Sequence, residues 1–278
     1  MHMIWPWQDR DQRWSWLKAG TFALMFAPGL WLINQVATEQ FGPVPLGGMT
    51  YWSGLIAMGL IMLALSITPT LTIFGWRRLI IVRRMIGVTA LAYTIAHLFI
   101  YFALRFWNFS SIVHEMATRI SLILATVATI GMIALGATSL DTAIRRMGAK
   151  GWQRLHNAIY AIGALAVIHY LLSPDIYPEQ YLMSGIFFWL MGWRALNRRG
   201  KGINPGALAL LAVAACVFTG LIEIAWIWAF QGWGLSEILN IYFTLDLGIP
   251  PMWKILAVGL LIALVAAART RVIRSAHA

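Results

Sequence analysis

Residues 151–170, Gly-Trp-Gln-Arg-Leu-His-Asn-Ala-Ile-Tyr-Ala-Ile-Gly-Ala-Leu-Ala-Val-Ile-His-Tyr, begin with interfacial and basic side chains and then run without charge to a second histidine. The uncharged run suits a helix in lipid, because a helix satisfies its own backbone hydrogen bonds where no water is present. His156 and His169 bracket it, thirteen residues apart. An ionisable ring in such a helix is costly and turns toward the bundle interior, so each histidine marks a candidate functional site. A third, His97, lies in an equally apolar stretch upstream.

The rest of the chain agrees with a membrane reading. Hydrophobic residues make up 60% of the 278 and charged residues 11%, with a mean hydropathy of +0.73. A soluble domain is about half apolar and a quarter charged. A span needs about 20 apolar residues to cross roughly 30 Å of hydrocarbon. Eight windows qualify: about 17–36, 49–69, 85–107, 119–139, 153–172, 181–197, 206–229 and 252–268. The expected fold is an all-α, polytopic transmembrane bundle. It has an N-terminal segment 1–16, a six-helix core over 17–197, and an extension 198–278 with two more spans and a short basic tail, set off by the turn-prone run Asn197 to Pro205.

The net charge of +11 is sorted by side, which argues against a nucleic-acid partner. Arg10, Arg13 and Lys18 precede the first span, Arg77, Arg78, Arg83 and Arg84 precede the third, and Arg145, Arg146, Lys150 and Arg154 follow the fourth. Arg194, Arg198, Arg199, Lys201 and the basic tail continue the pattern, leaving Arg105, Arg119 and Lys254 opposite. The positive-inside rule makes the basic side cytoplasmic, with both termini inside. Glu39, Glu115, Asp175, Glu179, Glu237 and Asp246 fall on the other face. The first span is too long for a removable signal and is expected to stay in the membrane. Cys216 is the single cysteine, so no internal disulfide forms.

Depth relates the histidines to one another. His97 is 13 residues beyond Arg84 and His169 is 15 beyond Arg154, which puts both about 20 Å from the basic surface. They are placed to clamp one iron, and a heme held by two side chains transfers electrons because no position is open to substrate. His156 belongs near the cytoplasmic face, about 20 Å from His169, a gap that suits two stacked hemes. Thirteen steps at about 100° leave the two rings some 140° apart, so a kink is needed to aim both inward. His156 has no evident second histidine, so the count is one or two hemes. The alternative is three histidines that each donate to a backbone carbonyl. His114 reads as a solvated loop residue, and His2 and His277 are terminal. Arg83, Arg84 and Arg154 are candidates for heme propionates or a flavin phosphate. Glu223 reads as an interfacial carboxylate.

The wording around these histidines resembles the MsrQ family, formerly YedZ. The matching stretches are Tyr51-Trp-Ser-Gly54, Ile67-Thr-Pro69, Arg83-Arg-Met-Ile-Gly87 running on to Ala96-His97-Leu98, Ala137-Thr-Ser139, and Gly151-Trp-Gln-Arg-Leu-His-Asn157 with Tyr160 and Ile168-His-Tyr170. The resemblance implies a ferric-reductase-like transmembrane core with b-type heme on His97, His156 and His169. It further implies electrons from the quinone pool, a flavin mononucleotide (FMN), and delivery to a periplasmic molybdopterin subunit that reduces methionine sulfoxide in oxidised proteins. This chain would then sit in a bacterial inner membrane as an electron-transfer subunit with no substrate-reducing site of its own. Two rivals are a ferric reductase with another acceptor and a proton-coupled transporter. The latter often shows broken helices and internal repeats, which the sequence does not display.

Overall fold

A computed structural model describes residues 5–8, 11–173, 178–244 and 248–275; Arg10, Asp175, Asp246, His2 and His277 lie outside them. Among the described residues the structure is helical apart from a single antiparallel bridge between Gln8 and Trp14. In chain order the helices are α1 (Trp16–Ala37), α2 (Pro45–Phe74), a 3-10 turn (Arg77–Val82), α3 (Arg83–Leu104), α4 (Phe109–Thr118) and α5 (Ile120–Ala137). There follow α6 (Asp141–His156), α7 (Ile159–Leu171), α8 (Pro178–Arg198), α9 (Pro205–Gln231), α10 (Leu235–Thr244) and α11 (Pro251–Ser275). Six are long and apolar enough to cross a membrane: α1, α2, α3 with its preceding turn, α5, α9 and α11. The chain is a multi-pass membrane protein.

Two of the eight expected windows differ. The window 153–172 is not one helix, because α6 ends at His156, Asn157 and Ala158 form a turn, and α7 runs for only 13 residues. The Ala158 amide bonds Leu155 O at 2.9 Å, a three-residue step that tightens the chain and breaks the helical register. The window 181–197 forms α8, which is not among the six and buries Gln180 and Ser184 as well as Trp193. Beyond Arg198 stand three helices, α10 lying where the sequence reads as a connection.

The helices group into two compact units, residues 1–64 with 79–169 and residues 65–78 with 170–278. In the first, Pro28 interrupts α1, and the Tyr93 hydroxyl of α3 enters the gap: it accepts from Gly29 N at 2.8 Å and donates to Met25 O at 3.0 Å. A side chain inserted into the i→i−4 ladder is one of the known causes of a helix kink. At the far end of α3, α4 starts at Asn108, whose side chain accepts from Ser111 N, and it buries Ile112. Glu115 on α4 accepts from Tyr101, Arg105 and Arg119.

In the second unit, Pro69 has no amide to offer Leu65 O, and Arg194 of α8 donates to that carbonyl instead at 2.8 Å. Arg269 of α11 donates to Thr72 O and Ile73 O, which are among the orphan carbonyls at the end of α2. α9 and α11 cross closely at Ala212 and Gly259, where a Cβ on the glycine would lie 3.1 Å from the Ala212 Cα. Small residues at such a crossing allow the van der Waals packing that drives helix association in lipid.

Candidate functional site

The site is built in the first unit around His97 and His169. His97 lies one turn beyond Tyr93 on α3, so the bond that clamps α3 to α1 also fixes the depth of the histidine. Its Nδ1 donates to Thr50 O of α2 at 2.9 Å and lies 3.2 Å from the Ser53 hydroxyl. Gly54 provides the space for the ring: a Cβ there would stand 3.0 Å from Cε1 and 3.1 Å from Nδ1 of His97. His169, near the end of α7, donates from Nδ1 to Ser121 O of α5 at 2.9 Å. The two rings are close enough for a charge on one to act on the other.

Backbone carbonyls only accept, so both Nδ1 atoms carry the proton and each Nε2 presents its lone pair. This arrangement orients a metal-ligating histidine, whose other ring nitrogen typically donates to a carbonyl or carboxylate.

His156 is held differently. Trp152 stacks on its ring with centroids 3.8 Å apart, Nδ1 is 3.2 Å from Trp152 O, and Nε2 is 3.3 Å from the Ser139 hydroxyl. Trp152 Nε1 donates to Thr138 O at 3.0 Å, so the stacked pair also closes the end of α5. The turn at Asn157 and Ala158 supplies the change of direction that a straight helix between His156 and His169 lacks.

The arginines divide. Arg83 is half-buried and acts electrostatically on His156. Arg84 pairs with Asp141 at 2.7 Å on the surface. Arg154 is exposed on α6. His114 is exposed on α4. Among the described residues no group of three or more histidine, cysteine, aspartate or glutamate side chains is placed to hold a bare metal ion.

The partners of the histidines were the part that sequence reasoning did not assign. Ser53, Gly54 and Ser139 lie within the short matching stretches quoted above, and their places against His97 and His156 give those stretches a physical reason. Thr50 and Ser121 act through backbone carbonyls, which any residue type supplies, so no sequence signal marks them.

Comparison with known proteins bears on the same segment. Residues 48–168 match the family model described as the ferric reductase like transmembrane component. Over 221 residues the chain is 34% identical to the protein-methionine-sulfoxide reductase heme-binding subunit MsrQ of Azospira oryzae, covering 76% of this chain and 92% of that protein. The chain belongs to the MsrQ family. It is 32% identical over 185 residues to MsrQ of Cronobacter sakazakii, 65% of this chain and 91% of that one. The magnetosome protein MamZ of Paramagnetospirillum magneticum is 30% identical over 185 residues, but these are only 29% of its length. No solved structure matches the chain. Within this MsrQ-family sequence, the ferric-reductase-like segment holds His97, His156 and their partners Thr50, Ser53, Gly54 and Ser139, and it ends one residue before His169.

Proposed function

We propose that this chain is the electron-carrying membrane subunit of a protein-methionine-sulfoxide reductase system, with a b-type heme between His97 and His169. The observation that carries the reading is the histidine pair itself: each Nδ1 is committed to a carbonyl of a neighbouring helix, which fixes the tautomer whose Nε2 could serve as a ligand. A three-carboxylate or thiolate site would suit a bare metal ion, and none stands near them among the described residues. Two imidazoles on apolar helices instead suit a large apolar macrocycle. Held by both imidazoles, such a group would supply one-electron transfer.

A membrane roughly 30 Å thick calls for a second carrier toward His156, either another b-type heme or FMN. Iron binding at His156 Nε2 needs the 3.3 Å Ser139 contact to give way, a small change for a rotatable hydroxyl. Arg83, which acts on His156, is the arginine best placed to meet a propionate or phosphate; Arg154, two residues before His156, and Arg84, next to Arg83 in sequence, are the further candidates. Quinol is the proposed donor at the cytoplasmic side and a periplasmic molybdopterin subunit the acceptor, in a bacterial inner membrane with both termini cytoplasmic. Residues 17–197 form the carrier core in this reading, flanked by 1–16 and 198–278.

The test is a reduced-minus-oxidised absorption spectrum of the purified full-length chain with a pyridine assay of heme per chain. Sharp b-type bands support the conduit, and the stoichiometry separates one heme from two. Protein that carries no heme after expression with ample supply ends the proposal.

A further inference from the structure

The C-terminal unit contains polar groups that its own packing does not use. Glu223 on α9 is 9% exposed, Tyr181 on α8 2% and Tyr242 on α10 5%. Glu223 Oε2 and both tyrosine hydroxyls have no hydrogen-bond partner among the described residues, nor has the indole nitrogen of Trp226, one turn from Glu223 on α9. Glu223, Tyr181 and Tyr242 are nonetheless neighbours, each near enough to act electrostatically on another, and Lys254 of α11 acts on Glu223 from its exposed position. Four elements thus bring polar groups to one place; Tyr242 approaches Glu223 closely enough for a hydrogen-bond contribution between them, yet neither atom completes a well-formed bond.

An unpaired buried polar group costs about 1–3 kcal/mol, and more when it is charged. Four such groups within one helical unit are not tolerated at random in an apolar bundle, and polar atoms that neighbour one another with unfilled capacity are the usual setting of a bridging molecule. The set both accepts, through the carboxylate, and donates, through the phenols and the indole. Its occupant must therefore do both and be small. A hard cation is disfavoured by Lys254, and an anion by Glu223.

We propose that Glu223, Tyr181, Tyr242 and Trp226 form a buried water-binding site in the C-terminal helices, in which ordered water bridges the carboxylate to the two phenols and exchanges protons with it. Water making about three hydrogen bonds is a standard occupant of such sites. The proposal is independent of heme and of the histidines. It gives the C-terminal unit a chemical role, that of holding an exchangeable proton among otherwise apolar helices.

X-ray hydroxyl-radical footprinting of the full-length protein in nanodiscs tests it, because buried side chains are labelled only where bound water is activated beside them. Tyr181 and Tyr242 should be labelled despite their burial, and Glu223→Leu should lower that labelling severalfold while leaving Trp152 labelling unchanged. Unlabelled tyrosines in the native protein, or labelling indifferent to Glu223→Leu, would overturn it. If Glu223→Leu does not fold, the infrared carboxyl signal assigned with Glu223→Gln gives a second reading: exchange in deuterated water within seconds supports a hydrated site, and resistance over hours overturns it.

Discussion

His156 and His169 are bonded to opposite ends of the same helix: His169 donates to Ser121 O at the start of α5, and His156 meets the Ser139 hydroxyl just past its end. Those partners are 18 positions apart, about 27 Å along the axis. One rigid element therefore sets the vertical distance between two candidate carrier positions. Replacing His97 or His169 with alanine should abolish the low-spin heme signal, while His156→Ala should remove only part of it. Heme content and electron paramagnetic resonance of the three purified variants check this, and full heme retention in all three would falsify the ligand assignment.

Gly54 tests the geometry of the pair without removing a ligand. A methyl at this position would stand 3.0–3.1 Å from the His97 ring, tighter than ordinary contact, so the ring must yield by a few tenths of an ångström. Gly54→Ala should retain heme but shift the low-spin g-values and the midpoint potential. Gly54→Val, with a branched side chain pressing on the ring, should lose most of the signal. Unchanged spectra in both would mean that the ring is not seated against α2.

The membrane class and the long apolar helices were legible because extended apolar runs are local signals. The break after His156 was not. Asn157 and Ala158 are ordinary helix residues, and what stops the helix there is the three-residue hydrogen bond from Ala158 to Leu155, a choice made by packing at the end of α5. The need for a kink could be computed from the thirteen-residue spacing, but its position could not. α10 was missed for a related reason: ten residues with a polar face look like a loop until Ile238 and Tyr242 are seen to be buried. Tyr93 carried no signal at all, since its role depends on Pro28 of another helix.

Tyr93 gives a stability prediction. Tyr93→Phe keeps the ring but leaves Gly29 N–H and Met25 C=O without the bridging hydroxyl. Two unpaired groups would cost about 1–3 kcal/mol each, but these are one helical step apart and can close on each other if α1 straightens. Measured side-chain hydrogen bonds within membranes average about 0.6 kcal/mol. The expected loss is therefore about 1 kcal/mol, read by unfolding in denaturing detergent, with α1 straightened and His97 shifted in depth.

Glu115 gives a pH dependence. Partial burial opposes its ionisation, but donors from Tyr101, Arg105 and Arg119 outweigh that and hold its carboxyl below the usual glutamate value. A lowered folded value means the stabilisation of α4 is present above the ordinary carboxylate range and is lost as pH falls through the folded value. Both arginines are more than a third exposed, so the effect should be under about 1 kcal/mol. Proteolysis of the 105–119 segment should rise in acid, and Glu115→Gln should flatten that rise.

The Pro69 and Arg194 pair predicts a rescue. Proline leaves Leu65 O without its helical donor, and Arg194 supplies the replacement across 129 positions of sequence. Arg194→Met should destabilise the C-terminal unit by about 1–3 kcal/mol, because it strands a buried carbonyl. Pro69→Ala restores an amide at the position where α2 would ordinarily provide one, so the same Arg194→Met change made in that background should cost less, by at least about 0.5 kcal/mol, the threshold at which contacting residues show coupling. A double-mutant cycle in a mild detergent measures the difference. Strict additivity would show that Arg194 contributes through its other contacts, such as Leu190 O at 2.8 Å, and not by completing the ladder that the proline breaks.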